Sequence, residues 1–256
     1  MKVIIITGAS SGIGYALAEA LIARDQYIVA IARREQPLQD LKNKYPDQVR
    51  IISADVSSVK GRENIVNNLA DIKQITALVH NAGVIEPVAP IQKIELQQWR
   101  RAQAVNTEAP LFLSQALIPK LKQGRILHIS TAAAHIPFPA WSAYCSSKAA
   151  LFMLYQCLKL ELADIPIAVG SVMPGIVDTA MQAEIRAHKN MPKERLDFFT
   201  ELKANHKLLS TQTVARFLSW LLLDVKSDEF SEQEWDIYDT SHHDAWLEGE
   251  VLPEIS

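Results

Sequence analysis

The stretch Val3-Ile4-Ile5-Ile6-Thr7-Gly8-Ala9-Ser10-Ser11-Gly12-Ile13-Gly14 decides the fold. Val3 to Ile6 is a continuous β-branched run, the pattern of a strand covered on both faces. A turn with three glycines follows, and Tyr15 to Arg24 take a helical pattern. Strand, glycine turn and helix in succession make a phosphate cradle. Glycine lets the backbone approach an anion closely, and the helix N-terminus offers unpaired N–H groups and the positive end of its dipole. The spacing is G-x-x-x-G-x-G, and Gly8, Ser10, Ser11, Gly12, Ile13 and Gly14 are the residues placed to contact a dinucleotide.

The strand–helix rhythm continues downstream. Tyr27 to Ala32 reads as the second strand and ends in Arg33-Arg34-Glu35. An NAD-selecting fold often carries an acidic residue there for the ribose 2'-hydroxyl. Two arginines suit a 2'-phosphate instead, so NADP(H) is expected over NAD(H), with Glu35 the residue that argues the other way. A helix over 37–45 leads to a third strand, Val49 to Ser53, then Asp55-Val56. Asp55 is placed either to meet the adenine amine or to cap the helix that starts near Ser58. A helix over 63–69 precedes the fourth strand, Ala77 to His80. It ends in Asn81-Ala82-Gly83, small residues that leave room for a cofactor ring where open α/β sheets bind ligands.

Leu96 to Leu121 is a long helical stretch, expected to break near Pro110 and Pro119. Asn106, a poor interior helix residue, either faces solvent there or bonds into the site through a distorted turn. The fifth strand, Ile126 to Ile129, ends in Ser130-Thr131. A loop then leads to the helix that carries Tyr144-x-x-x-Lys148. Residues four apart share a helix face, so the ammonium lies near the phenol. A free phenol, with a pKa of about 10, is ionised about once in a thousand at neutral pH. A nearby cation lowers that pKa and suits the tyrosine to proton exchange with a carbonyl or alcohol. The sixth strand, Ile167 to Met173, ends in Pro174-Gly175-Ile176-Val177-Asp178-Thr179. Residues 178–209 leave the rhythm and read as a lid with helices over 182–188 and 193–203. Residues 211–223 read as an apolar helix, and 235–238 as a last strand.

The 256 residues, 48% hydrophobic and 21% charged, suffice for one domain over 1–256. A net charge of −3 without basic runs argues against nucleic acid. No stretch reads as a membrane span. Cys145 and Cys157 lie about 18 Å apart along one predicted helix, too far for a disulfide, which suits a reduced, cytoplasmic setting. His242-His243 is not expected to form a metal site. The Tyr144 helix also bears Leu151, Leu154 and Leu158, a face that wants either core or a partner, and a homodimer or homotetramer is expected.

With Thr7-Gly8-x-x-x-Gly12-x-Gly14, Asp55-Val56, Asn81-Ala82-Gly83, Asn106, Tyr144-x-x-x-Lys148 and Pro174-Gly175 in this order, the chain resembles the short-chain dehydrogenase/reductase family from Lys2 to about Leu223. Within it, residues 81–87, 141–148 and 174–182 look like NADPH-dependent benzil reductases and sepiapterin reductase-like carbonyl reductases. The resemblance implies an α/β fold of Rossmann type: a doubly wound, seven-stranded parallel sheet of order 3-2-1-4-5-6-7 with helices on both faces. It implies a catalytic set that carries over as Asn106, Tyr144 and Lys148. The family's usual Ser, thirteen residues before the Tyr, is here Thr131, which departs from the pattern. Ser130 is the fallback. Ser11 stands where many NADP-preferring relatives have Lys or Arg.

The implied reaction is reduction of a small-molecule ketone or α-diketone by hydride transfer. Thr131 and Tyr144 would hold the carbonyl oxygen, with Tyr144 as acid. Lys148 would lower the Tyr144 pKa and hold the nicotinamide ribose, and Asn106 would fix a water. Val177 and Thr179, beyond Pro174 and Gly175, would meet the carboxamide. The alternatives are an NAD(H)-dependent alcohol, steroid or sugar dehydrogenase on the same scaffold, and a non-catalytic dinucleotide-sensing protein.

Overall fold

Seven parallel strands in the order β3-β2-β1-β4-β5-β6-β7 form one sheet in the computed structural model, which describes residues 2–254. The strands are β1 (Val3–Thr7), β2 (Tyr27–Ala32), β3 (Val49–Ser53), β4 (Ala77–His80), β5 (Arg125–Ile129), β6 (Ala168–Met173) and β7 (Glu234–Asp236). The implied order and the Rossmann-type winding are both seen. The chain leaves β1 toward β3 and returns to place β4 on the other side of β1. That reversal opens a crevice at the carboxyl ends of β1 and β4.

β1 is buried at every residue, as its unbroken apolar run requires. Successive side chains of a parallel strand enter opposite faces, so the sheet has two cores. On one face Leu17 and Leu21 of α1 (Gly12–Ile22) pack with Phe217, Leu218 and Leu221 of α9 (Thr211–Leu223). On the other, Ile65 of α3 (Val59–Asn67), Leu113 and Leu117 of α5 (Ala109–Leu117), and Tyr155 and Leu158 of α6 (Ser142–Glu161) cover the strands. Leu151 and Leu158 are therefore core, and Leu154 packs against it. The open choice for that face resolves to core, and these leucines give no support to association. The large apolar residues that α6 exposes are Met153 and Leu160.

The long helical stretch breaks near both prolines, as expected: at a π-helical turn just before Pro110, and at the end of α5, where a 3-10 turn over Ile118–Lys120 holds Pro119. α4 (Leu96–Gln103) passes into a π-helical turn, Ala104–Glu108, before α5 begins. Pro110 lies in the first turn of α5, where a missing N–H costs nothing. The irregularity centres on Asn106, and single π-turns often mark working parts of a helix. Among the described residues no helix is long and apolar enough to cross a membrane.

Two histidines, His80 on β4 and His128 on β5, are cross-strand neighbours with stacked rings 5.1 Å apart. Burial, and then the charge of Lys148, holds His128 down to about 3, and burial, and then His128, holds His80 well below its usual value. Both are neutral in the fold and protonate when it opens. A depressed native pKa gives stability that is full above the unfolded value of about 6.5 and is lost as pH falls below it. Each should cost about 1.4 kcal/mol per pH unit below that point. Urea unfolding at a series of pH values checks this. The slope should shrink in His128→Leu, and an unchanged slope would refute the assignment.

Candidate active site

The turn after β1 has the backbone its glycines allow. Gly8 and Gly12 have φ of +71° and +57°, a region open chiefly to glycine. Gly14 has no room for a side chain: a Cβ there would lie 2.4 Å from Asn81 Nδ2 and 2.6 Å from the Gly8 oxygen. Asn81, at the end of β4, closes the turn from below by donating from Nδ2 to the Thr7 oxygen at 2.9 Å and the Gly8 oxygen at 3.2 Å. Ser11 is the N-cap of α1 but makes no side-chain cap bond, so first-turn N–H groups remain for an anion. Ile13 packs against the core.

Arg34 lies over this turn. It donates from Nε and Nη2 to Ser10 Oγ, and from Nη2 to Ser11 Oγ at 2.6 Å. Arg33 is exposed beside it. Asp55 does not cap α3; Ser58 does, accepting from the Gly61 N–H. Asp55 instead accepts from the Ser57 N–H and hydroxyl on one oxygen and from Arg101 Nη1 at 2.9 Å on the other. Burial raises its pKa, but the bonds from Ser57 and Arg101 outweigh that and lower it. Arg101, on α4, is a partner the sequence did not reveal, because nothing local links it to a residue 46 positions earlier. Val56 is buried beside Asp55.

At the crevice floor, Lys148 on α6 is buried and donates from Nζ to the Ile129 oxygen at 2.8 Å. Its Nζ lies 5.8 Å from the Tyr144 ring centre. Asn106 is not solvated. Its Oδ1 accepts from the Val84 N–H, and its Nδ2 donates to the Val84 oxygen and to Ser147 Oγ, all at 2.9 Å. The π-turn is thus tied both to the segment after Gly83 and to α6. A Cβ on Gly83 would stand 3.6 Å from Asn106 Oδ1 and 3.8 Å from Lys148 Nζ, so its bareness keeps this space clear. Ala82 donates its N–H to Thr7 Oγ1.

Thr131, rather than Ser130, is the hydroxyl beside Tyr144. Burial pushes the Tyr144 phenol up to about 12, while a hydrogen bond with Thr131 pulls the other way. Ser130 Oγ is buried with no partner among the described residues. Burial lowers Lys148 to about 8. Burial of the phenol, opposed by the Thr131 bond, sets the direction of the Tyr144 shift.

The segment after β6 turns at Gly175 (φ +77°), where a Cβ would strike Leu209 and Tyr238. Pro174 precedes it. Val177 bridges to Leu209, and Thr179 caps α7 (Ala180–Ala187) by accepting from the Gln182 N–H. Thr179 also reaches the glycine turn, its Cγ2 only 3.3 Å from a Cβ built on Gly12. α7 and α8 (Lys193–Ala204) fold over Tyr144. Phe199 of α8 stacks on Trp141 at 5.7 Å, and Trp141 meets Tyr144 edge to face at 5.8 Å. His188 pairs with Glu86 at 2.6 Å and Asn190 donates to the Val88 oxygen, tying the lid to the loop after β4. His242 and His243 lie apart from the site. Trp246 Nε1 donates to His242 Nδ1, and His242 Nε2 and His243 Nε2 face the Asp236 and Ile237 oxygens.

Residues 2–190 match the short chain dehydrogenase family. The chain is a short-chain dehydrogenase. It is 38% identical over 229 residues to an uncharacterized oxidoreductase of Schizosaccharomyces pombe, covering 87% of this chain and 91% of that one. It is 33% identical over 246 residues to a benzil reductase of Bacillus cereus that forms (S)-benzoin, covering 91% of this chain and 98% of that protein. A solved short chain dehydrogenase/reductase from Saccharomyces cerevisiae superposes with a TM-score of 0.90 at 33% identity, covering 96% of this chain and all of that one. Short-chain dehydrogenases are oxidoreductases that use nicotinamide dinucleotides. The glycine turn, the α1 N-terminus and the clear space at Gly83 in this short-chain dehydrogenase fit such a cofactor.

Proposed function

We propose that this short-chain dehydrogenase is an NADPH-dependent reductase of ketones and α-diketones. The observation that carries the reading is the place of Tyr144. It lies buried under the lid, edge to face on Trp141, on the same helix as Lys148. A protonated phenol in that place can give its proton to the oxygen of a carbonyl as it is reduced. The walls around it support an apolar substrate, since Phe138, Trp141, Ile85, Val88 and Phe199 surround the phenol. That favours a diaryl or alkyl ketone over a sugar, and the likeness to benzil reductases points the same way.

Gly8, Gly12, Gly14, Ser10 and Ser11 would hold the pyrophosphate, Asp55 and Val56 would border the adenine, and Lys148, Val177 and Thr179 the nicotinamide end. When bound, the nicotinamide supplies the hydride. Thr131 and Tyr144 orient the carbonyl oxygen, and Tyr144 gives it a proton. The Lys148 ammonium opposes the charge left on the phenolate. Asn106 keeps the π-turn and α6 in register, and the lid excludes water.

Arg33 and Arg34 would select the 2'-phosphate. Loss of reduced-nicotinamide absorbance with benzil should be much faster with NADPH than with NADH at equal subsaturating concentration. Arg34→Ala should raise the KM for NADPH about 10- to 100-fold, the loss of one or two charge-assisted bonds, and leave NADH kinetics unchanged. Equal use of both cofactors by the unaltered protein would overturn the arginine assignment. No turnover of any ketone with either cofactor would overturn the function.

A further inference from the structure

Asp55 follows the carboxyl end of β3, at the same edge of the sheet as the glycine turn and the two arginines after β2. Its main chain is fixed first. The Asp55 oxygen accepts from the Ser58 N–H at 3.1 Å and from Ser58 Oγ at 3.2 Å. A Cβ on Gly61 would lie 2.0 Å from that oxygen, so the first turn of α3 packs directly on this residue. Arg62, from α3, donates to the Val56 oxygen at 3.0 Å. With the peptide held in this way, the freedom left at Asp55 is that of its carboxylate.

Two groups hold that carboxylate, one at each oxygen. Oδ1 accepts from the Ser57 N–H at 3.0 Å and from the Ser57 hydroxyl at 2.8 Å. Oδ2 accepts from Arg101 Nη1 at 2.9 Å. The same Nη1 donates to Ser57 Oγ at 2.7 Å and closes a ring of three side chains. Ser57 belongs to the Asp55 loop itself, whereas Arg101 reaches in from α4. A carboxylate held at one oxygen can still swing; held at both, its plane is set. An ionised carboxylate accepts about four hydrogen bonds. Two bonds fall on Oδ1 and one on Oδ2, so the acceptor position left over is on Oδ2. The Asp55 side chain is 33% exposed, and a ligand can reach it. α4 is itself well seated: Ala102 is buried, Gln103 Nε2 donates to Ser146 Oγ, and the π-turn that follows anchors Asn106.

We propose that Arg101 is the positioning residue for the purine end of the dinucleotide: by fixing the Asp55 carboxylate through Oδ2, it makes the site select a 6-aminopurine over a 6-oxopurine. This rests on the reading above that Asp55 borders the adenine. A 6-amino group brings an N–H to the one acceptor position left on Oδ2. A 6-oxo group brings a lone pair to the same place and is repelled. Without Arg101 the carboxylate keeps its charge but is held at Oδ1 alone, and Oδ2 is free to turn to water. Arg101 acts through Asp55 and touches neither the reacting atoms nor the nicotinamide end.

The test is a pair of fluorescence titrations that need no substrate, with NADPH and with its 6-oxopurine analogue, reduced nicotinamide hypoxanthine dinucleotide phosphate. The unaltered protein should bind NADPH about 10- to 100-fold more tightly than the analogue, the worth of one hydrogen bond to a charged group. Arg101→Leu should bring the two affinities close together, chiefly by weakening NADPH, with the thermal midpoint kept, because a partly exposed ion pair adds little to stability. Arg101→Lys, which keeps a donor for Oδ2, should retain most of the preference. A preference unchanged in Arg101→Leu would overturn the role of Arg101. Loss of the preference in Arg101→Lys as well, with a lowered thermal midpoint, would mark general damage at α4 and overturn it too. Equal binding of NADPH and the analogue by the unaltered protein would strike the placing of Asp55 at the adenine, and the proposal with it.

Discussion

Tyr144→Phe should lower kcat for carbonyl reduction by about 10²- to 10⁴-fold, the usual worth of a positioned acid, while NADPH binding and the thermal midpoint stay near those of the unaltered protein. The ring is held by packing, edge to face on Trp141 and among Ile85, Val88 and Phe199, and phenylalanine keeps those contacts. Only the hydroxyl is lost, and Thr131 retains its bond from the Ala133 N–H. Steady-state kinetics with benzil and a fluorescence titration with NADPH separate the two effects. Equal activity in the variant would remove Tyr144 from the chemistry. The pH profile of the unaltered enzyme carries the same information. With the phenol pushed up to about 12 and the ammonium down to about 8, reduction should be level through neutrality and decline above about pH 8 as Lys148 loses its charge.

Gly14→Ala should be the most damaging small substitution in the crevice. The added methyl would sit 2.4 Å from Asn81 Nδ2 and 2.6 Å from the Gly8 oxygen. Neither neighbour is free to yield: the first is pinned by two bonds to the β1 end, and the second is backbone. Overpacking of this kind costs about 1–3 kcal/mol, a fall in thermal midpoint of about 2–4 °C per kcal/mol for a chain of this size. Because the methyl pries the turn away from Asn81, dinucleotide affinity should fall with stability. Calorimetry of the melt and a cofactor titration check both. An unchanged midpoint would mean that the turn is looser than its geometry implies. Gly83 makes the contrast, since its nearest neighbours stand 3.6 Å or more from an added methyl, and alanine there should leave the fold's stability unaltered.

Much of this molecule was legible along the chain. β2, β3, β4 and α9 span the residues their patterns predicted, and the lid helices begin and end within two residues of expectation. α10 (Ser227–Glu232) was missed because it is short and polar, and its one deep anchor, Phe230, lies against Gly170 of β6, sixty residues away. Asn106 showed itself as a poor helix former, but its three partners come from Val84 and Ser147. Asp55 leaves the cap of α3 to Ser58, and its bond from Arg101 spans 46 positions that no local pattern joins.

By itself the sequence determined the strand–turn–helix frame, the cradle at Gly8 to Gly14 and the Tyr144–Lys148 pair, because each depends on residues within one turn or one strand, where spacing dictates geometry. Only the tertiary structure decided that α6 turns Leu151 and Leu158 into the core and that Tyr144 is buried under the lid. It alone decided that His80 and His128 stack side by side in the core. Burial and cross-strand register are set by elements tens of residues apart, and no local pattern records which side chains they bring together.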